Sequence, residues 1–241
     1  LGIETDTLDI WGKTLNTRPV EDVNMSKLEE AVTNFSGVIK QTPPMYSALK
    51  VKGKKLYEYA REGKEVDVKS RKIFVERAEI ISFDGSEFEF EIACSKGTYI
   101  RSICADIGKA LGCGAAMSSL IRTRSGCFEL SDSVDIEKLQ VMTSEDIESL
   151  LLPIDMPLPH LGRAEVSDWE KHLFINGVEL RKNQWLELEK PRFANEEFPL
   201  PIRKEFTQLY RVYDRAGDFL GTAIENKGLI KADKVFYNAN I

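Results

Sequence analysis

The run "EFEFEIAC", Glu87 to Cys94, alternates strictly, with Phe88, Phe90 and Ile92 on one face and Glu87, Glu89 and Glu91 on the other. A period of two marks a strand with one wet face. Asp84-Gly85 just before it, and the Ile-, Val- and Phe-rich stretch 71–82 before that, predict an antiparallel hairpin. The period then changes. Ile100, Ile103, Ile107 and Leu111 recur at helical spacing, which predicts a helix over 99–111 capped by Thr98 and stopped by Gly112. Upstream, Ser26 and Glu29 have capping-box spacing around a helix whose apolar face is Leu28, Val32 and Phe35. Pro43-Pro44 then imposes an extended run. Downstream, "SSLIRTRSGCFEL" reads as extended, followed by two short acidic helices between Asp135 and Leu152. Pro153, Pro157 and Pro159 mark a linker. Beyond them "FINGVEL" and "LYRVYDRAGDFLGTAIE" predict short strands in a small β-rich module. There is no internal repeat and no low-complexity tract.

Arg101 breaks the pattern of the 99–111 helix. It stands in the first turn, beside the positive end of the macrodipole, at a cost of about 0.3–1 kcal/mol. Either it is a solvated surface arginine, or it is held there for a negative partner from elsewhere. Composition narrows the setting. With 42% hydrophobic and 30% charged residues, the 241-residue chain is an ordinary globular sequence. No apolar run approaches the roughly 20 residues of a membrane span. Cys94, Cys104, Cys113 and Cys127 form no C-x-x-C pair, and His160 and His172 are isolated. Reduced thiols in a cytoplasmic protein are therefore expected, with no metal site.

The net charge of −6 conceals a basic island. Residues 40–77 hold eleven Lys/Arg against five Asp/Glu, whereas 1–39 and 78–162 together hold nine against twenty-one. Within the island, Lys50, Lys52, Lys54 and Lys55 flank Gly53, with Tyr46, Tyr57 and Tyr59 interleaved and Arg61 and Arg71 following. Ammonium and guanidinium groups neutralise phosphates, and aromatic rings pack on bases or sugars. A solvated helix with its tyrosines turned inward would have the same composition.

Three blocks in order resemble the bacterial tRNA pseudouridine-55 synthases, the TruB family. They are "LGIETDTLDIWG", "TPPMYSALKVKGKKLYEYAREG", and "CSKGTYIRSICADIGKALGCGA" followed by "LIRTRSG". The resemblance runs from Leu1 to about Leu152. It implies an α/β (α+β) pseudouridine-synthase fold around a mixed, mostly antiparallel sheet. The expected organisation is a catalytic domain over 1–152, a linker over 153–162 and a PUA-like RNA-binding domain over 163–241. The implied reaction isomerises the T-loop uridine of tRNA without metal or organic cofactor, and the implied partner is the tRNA elbow, bound by a monomer. In the family the arginine of G-T-Y-I-R pairs with an aspartate nucleophile, so Arg101 takes that role by resemblance. Tyr99 takes the place of the active-site tyrosine and Leu120 that of an apolar residue lining the uracil pocket. For Tyr99 and Leu120, plain core packing stays open. The family's G-x-L-D-P-x-A-[ST]-G block, which carries the nucleophile, does not occur in residues 1–241. It is expected upstream of Leu1, and the chain by itself is expected to be inactive. Two alternatives remain: a tRNA-elbow binding or folding module without catalysis, and a guide-RNA-directed relative.

Overall fold

The computed structural model describes residues 1–194 and 207–236. The chain divides into two compact units, Leu1–Leu120 and Ile121–Ile241.

In the first unit, β1 (Ile3–Thr5) and β2 (Thr14–Thr17) pair antiparallel, and α1 (Met25–Thr33) leads into β3 (Gly37–Gln41). A short pair, β4 (Lys50–Val51) and β5 (Lys54–Lys55), turns directly into α2 (Leu56–Arg61). The predicted hairpin is β6 (Arg71–Phe83) and β7 (Phe88–Cys94), followed by α3 (Ile100–Ala110). The sheet runs β3-β6-β7, entirely antiparallel, in the register Ile39↔Ile73, Gln41↔Arg71 and Phe83↔Phe88. Its core joins Leu28, Ala31 and Val32 of α1, Ile73 and Val75 of β6, and Ile103 and Ile107 of α3. Phe88, Phe90 and Ile92 pack against that cluster, as the alternation requires. Burying each Leu, Ile or Val contributes roughly 1.5–3 kcal/mol, which fixes α3 against the sheet.

Two helix starts differ from expectation. Asn24, not Ser26, caps α1, its side chain accepting from Lys27 N at 3.0 Å. Both residue types cap well, and the first apolar contact, Leu28, sits equally well from either start. In α3 the cap position is Tyr99 rather than Thr98. Thr98 instead donates its hydroxyl to Ser95 O at 2.8 Å, closing the turn before the helix. Further along α3, Gly108 is indispensable. A Cβ there would lie 2.1 Å from Ala115 N, because the 114–115 backbone passes against the helix.

In the second unit, β8 (Arg124–Ser125) and β9 (Phe128–Glu129) form a small hairpin in the segment read as extended. The acidic helices are α4 (Ile136–Val141) and α5 (Ser144–Ser149), the latter closed by a reciprocal Thr143–Asp146 capping box. Then come β10 (Gly162–Val166), α6 (Asp168–Ile175), β11 (Leu186–Glu189), β12 (Leu209–Asp214), β13 (Phe219–Asn226) and β14 (Leu229–Val235). The sheet order is β11-β10-β12-β13-β14, with β10 and β12 parallel and the other pairs antiparallel. Ala164, Val166, Phe174, Leu180, Val212, Leu220 and Ile230 form its core.

Phe174 and Ile175, expected in a strand, lie in α6 instead. A two-residue apolar run carries no period of its own. Asp168 and Glu170 in the first turn favour a helix through its dipole.

The division at 120/121 lies ahead of the proline-marked stretch, so residues 121–152 group with the second unit. Limited proteolysis tests where the chain opens between its packed elements. Early cleavage is expected near Pro153–Pro159, before any within Glu87–Cys94 of the central hairpin. Cleavage first inside β7 would count against either division. The polar run 189–206 is a second expected site, of which 195–206 lie outside the described residues.

Candidate active site

Arg101, the second residue of α3, has the negative partner that its position demands. Its Nη1 donates to Asp9 Oδ2 and to Thr7 O, both at 3.0 Å, and its Nη2 donates to Tyr46 O at 2.9 Å. About a fifth of each ion-pair side chain is exposed, 23% for Arg101 and 19% for Asp9. The carboxylate and two carbonyls offset the dipole penalty, and the remaining N–H groups of the fork can serve another acceptor.

The opening block is shaped around this contact. Asp9 Oδ1 accepts from Thr7 Oγ1 at 2.8 Å and from Trp11 N at 3.2 Å, while Thr5 Oγ1 donates to Asp9 O at 2.7 Å. Asp6 Oδ1 accepts from Lys13 N at 2.8 Å, and Tyr46 OH reaches Asp6 Oδ2 at 3.5 Å. Leu8 takes a positive φ of 63° to make the turn. Thus "TDTLD" supplies an acidic, internally hydrogen-bonded turn, Tyr46 meets it from the Lys/Tyr block, and Arg101 enters from α3. All three segments of the resemblance meet at one guanidinium.

Tyr99 lies at the mouth of α3. Its N–H donates to Gln41 Oε1 at 2.8 Å, and its carbonyl accepts from Gln41 Nε2 at 3.0 Å. The Arg71 guanidinium lies 5.0 Å from the centre of the Tyr99 ring. Arg71 therefore turns toward the site rather than standing out among the lysines. Leu120, at the end of the first unit, is 55% exposed and is not among the buried core residues. Asp106, further along α3, borders a cavity of about 400 Å³ with Leu8, Leu15 and Lys109. Partial burial pushes its carboxyl above the usual range, against the pull of Lys109.

The basic island is partly self-engaged. Lys54 pairs with Glu62 and lies 4.9 Å from the Tyr59 ring centre. Lys55 and Arg61 both stand 5.3 Å from the Tyr57 ring, and Lys55 Nζ donates to Tyr57 OH at 3.2 Å. Lys50 and Lys52 are exposed on the β4–β5 turn, where Lys52 adopts a φ of 50°. Among the described residues no group of three or more His, Cys, Asp or Glu is arranged to hold a metal ion. Burial pushes the Cys104 thiol up to about 11, which leaves it an inert core group. No helix among the described residues is long and apolar enough to cross a membrane.

From the sequence, Asp6, Asp9 and Asp106 occupy other motif positions than the nucleophile's and none is promoted to that role; a partnership of Asp9 with Arg101, or of Gln41 with Tyr99, is not read there. The tight "TDTLDIWG" turn was the available signal for Asp9. For Gln41 it was a polar residue ending a strand just before two prolines.

Comparison with known proteins identifies the family. Residues 1–100 match the TruB family pseudouridylate synthase N-terminal domain, and residues 101–159 match the tRNA pseudouridylate synthase B C-terminal domain. A protein of Alkaliphilus oremlandii named tRNA pseudouridine synthase B is 43% identical over 207 residues, covering 86% of this chain and 68% of that protein. One of the same name from Clostridium novyi is 39% identical over 235 residues, covering 98% of this chain and 75% of its own length. A chain of the crystal structure of a Cbf5-Nop10-Gar1 complex superposes with a TM-score of 0.65 at 23% identity. That match covers 90% of this chain and 63% of that one, and bears on the fold alone. The chain belongs to the TruB family of pseudouridylate synthases.

Proposed function

We propose that this chain carries most of a tRNA pseudouridine synthase acting on the T-loop uridine, position 55 of tRNA. The observation that supports it is the convergence on Arg101 of Asp9 and Thr7 from the first block and Tyr46 from the second. The reaction detaches uracil from ribose at nitrogen and rejoins it through carbon. The base must leave its stack first, and a carboxylate must stay ionised to attack. Arg101, anchored from behind, offers its remaining donors to that carboxylate and favours its charged form. Tyr99 is proposed to stand against the uracil ring, with Leu120 at the apolar side of the pocket. The attacking aspartate is proposed to come from outside residues 1–241, since the G-x-L-D-P-x-A block does not occur within them. Tritium release from tRNA labelled at uracil C5 tests the activity, and moving the label to a tRNA lacking U55 tests the position.

Binding would rest on phosphates and on the shape of the folded elbow. Lys50 and Lys52, exposed on the β4–β5 pair, are the proposed first phosphate contacts, with Lys54, Lys55, Tyr57, Arg61, Tyr46 and Arg71 proposed as further contacts. Lys50→Glu with Lys52→Glu should weaken tRNA binding and reduce the slope of log K against log salt by about 0.7–0.9 for each lost contact. An unchanged slope would remove this turn from the interface.

A further inference from the structure

We propose that Gln41 and Arg71 form a two-residue clamp that sets the Tyr99 ring and the first turn of α3, and are therefore positioning residues for the isomerisation. The inference rests on the reading of Tyr99 and Arg101 given above. Gln41 and Arg71 face each other directly across β3 and β6, at the end of the sheet nearest α3. Gln41 is buried at 2% exposure and spends both ends of its amide on the backbone of one residue, Tyr99. Arg71 takes the side chain of the same residue, its guanidinium over the ring, while its Nη2 donates to Gly97 O. Its Nε is buried. Backbone and ring of Tyr99 are thus gripped by neighbouring side chains of a single cross-strand pair.

The turn being gripped is itself pinned. Ser95 N donates to Phe74 O at 2.7 Å, and Phe74 N donates to Ser95 Oγ at 2.9 Å, so the 95–98 turn is tied to β6 at its start. Gly97 has a φ of 89°, and a Cβ there would sit 3.5 Å from the Arg71 guanidinium. The consequence reaches past Tyr99. Its carbonyl also receives Ser102 N at 3.1 Å and Ile103 N at 3.3 Å, the first bonds of α3. A shift at Gln41 would move the helix start and Arg101 with it. Arg71, read from composition as a phosphate contact, also lies against a tyrosine ring. A cation facing an aromatic ring and a forked donor on a carbonyl restrict tilt and translation together.

The test uses Arg71→Met, Arg71→Lys and Gln41→Glu, with folding checked by circular dichroism. In the 241-residue chain labelled with 3-fluorotyrosine, Tyr99→Phe assigns one of the seven resonances. Arg71→Met should move the Tyr99 line toward the free-tyrosine position and leave the other lines in place, with Arg71→Lys between the two. In the active, aspartate-bearing enzyme, Arg71→Met should lower the single-turnover rate at saturating tRNA by about 10–100-fold, the scale of a misplaced catalytic group. The Kd for tRNA should stay within twofold. An unmoved Tyr99 line, or a raised Kd with an unchanged saturating rate, would overturn the clamp and return Arg71 to the RNA interface. If Gln41→Glu fails to fold, the Arg71 pair alone decides. Should the unaltered enzyme release no tritium, the functional reading fails, while the Tyr99 line still reports whether the clamp exists.

Discussion

The 241-residue chain, mixed with tRNA tritiated at uracil C5, is expected to release no tritium. Arg101 cannot attack a nucleotide, because a guanidinium stays protonated. Tyr99 can donate a hydrogen bond or relay a proton, and such general acid–base help supplies only about 10²–10⁴-fold. The nearby aspartates are already occupied. Asp9 is held by Arg101, Thr7 and the Trp11 N–H, and Asp6 by Lys13 N and Tyr46 OH. Joining a segment with a G-x-L-D-P-x-A block to the N-terminus should produce activity, and Arg101→Ala in that enzyme should then remove about 10²–10³-fold, as for loss of a charge-stabilising donor. Arg101→Ala also strands the Asp9 carboxylate, at a stability cost of about 1–3 kcal/mol. Melting is therefore read alongside the rate, at a temperature where both proteins are folded. Tritium release by the chain as it stands would make one of Asp6, Asp9 or Asp106 the attacking group.

Lys171→Met should strongly destabilise the second unit. Lys171 Nζ lies 2.7 Å from Asp214 Oδ2, and the Asp214 side chain is only 4% exposed. Asp214 also accepts from Asp218 N at 2.9 Å, holding the turn between β12 and β13. Removing the lysine leaves a buried carboxylate without its counter-charge, which typically costs about 3–5 kcal/mol. For a unit of this size that lowers the melting midpoint by roughly 10 °C or more. The pH dependence follows from the same contact. Burial alone would raise the Asp214 carboxyl, but the Lys171 hydrogen bond and charge and the Asp218 N–H outweigh it, and the net shift is downward. A group lowered on folding adds stability above the unfolded carboxylate value, about 3.9, and loses it as pH falls through the folded value. Acid unfolding of this unit below about pH 4 should therefore flatten in Lys171→Met. A melting shift under about 2 °C, with an unchanged acid limb, would show the pair to be replaceable by water.

What the sequence determined by itself lies in its local periods. Phe88, Phe90 and Ile92 must share a face, and Ile100, Ile103, Ile107 and Leu111 must share another. Each pattern prescribes its element and the side that is buried, so β7 and α3 follow with only their ends displaced. The ends moved because caps depend on a few tenths of a kcal/mol to about 1 kcal/mol and on nearby polar groups. Thr98 is an adequate cap by type, but it belongs to the turn closed on Ser95 O, and the helix starts one residue too late for it to cap. The ordered blocks also led to the family, and through it to Arg101 and Tyr99. Which groups hold those residues was decided only in three dimensions. Asp9 lies 92 positions from Arg101, and Gln41 lies 58 from Tyr99. No periodicity links positions so distant, since a polar side chain's partner is chosen by where the sheet and helices bring the chain back. The fate of Arg71 has the same cause: in the sequence it is one more cation in a basic run. It becomes the neighbour of a tyrosine only when β6 pairs with β3 and the Gly97 turn closes over its end.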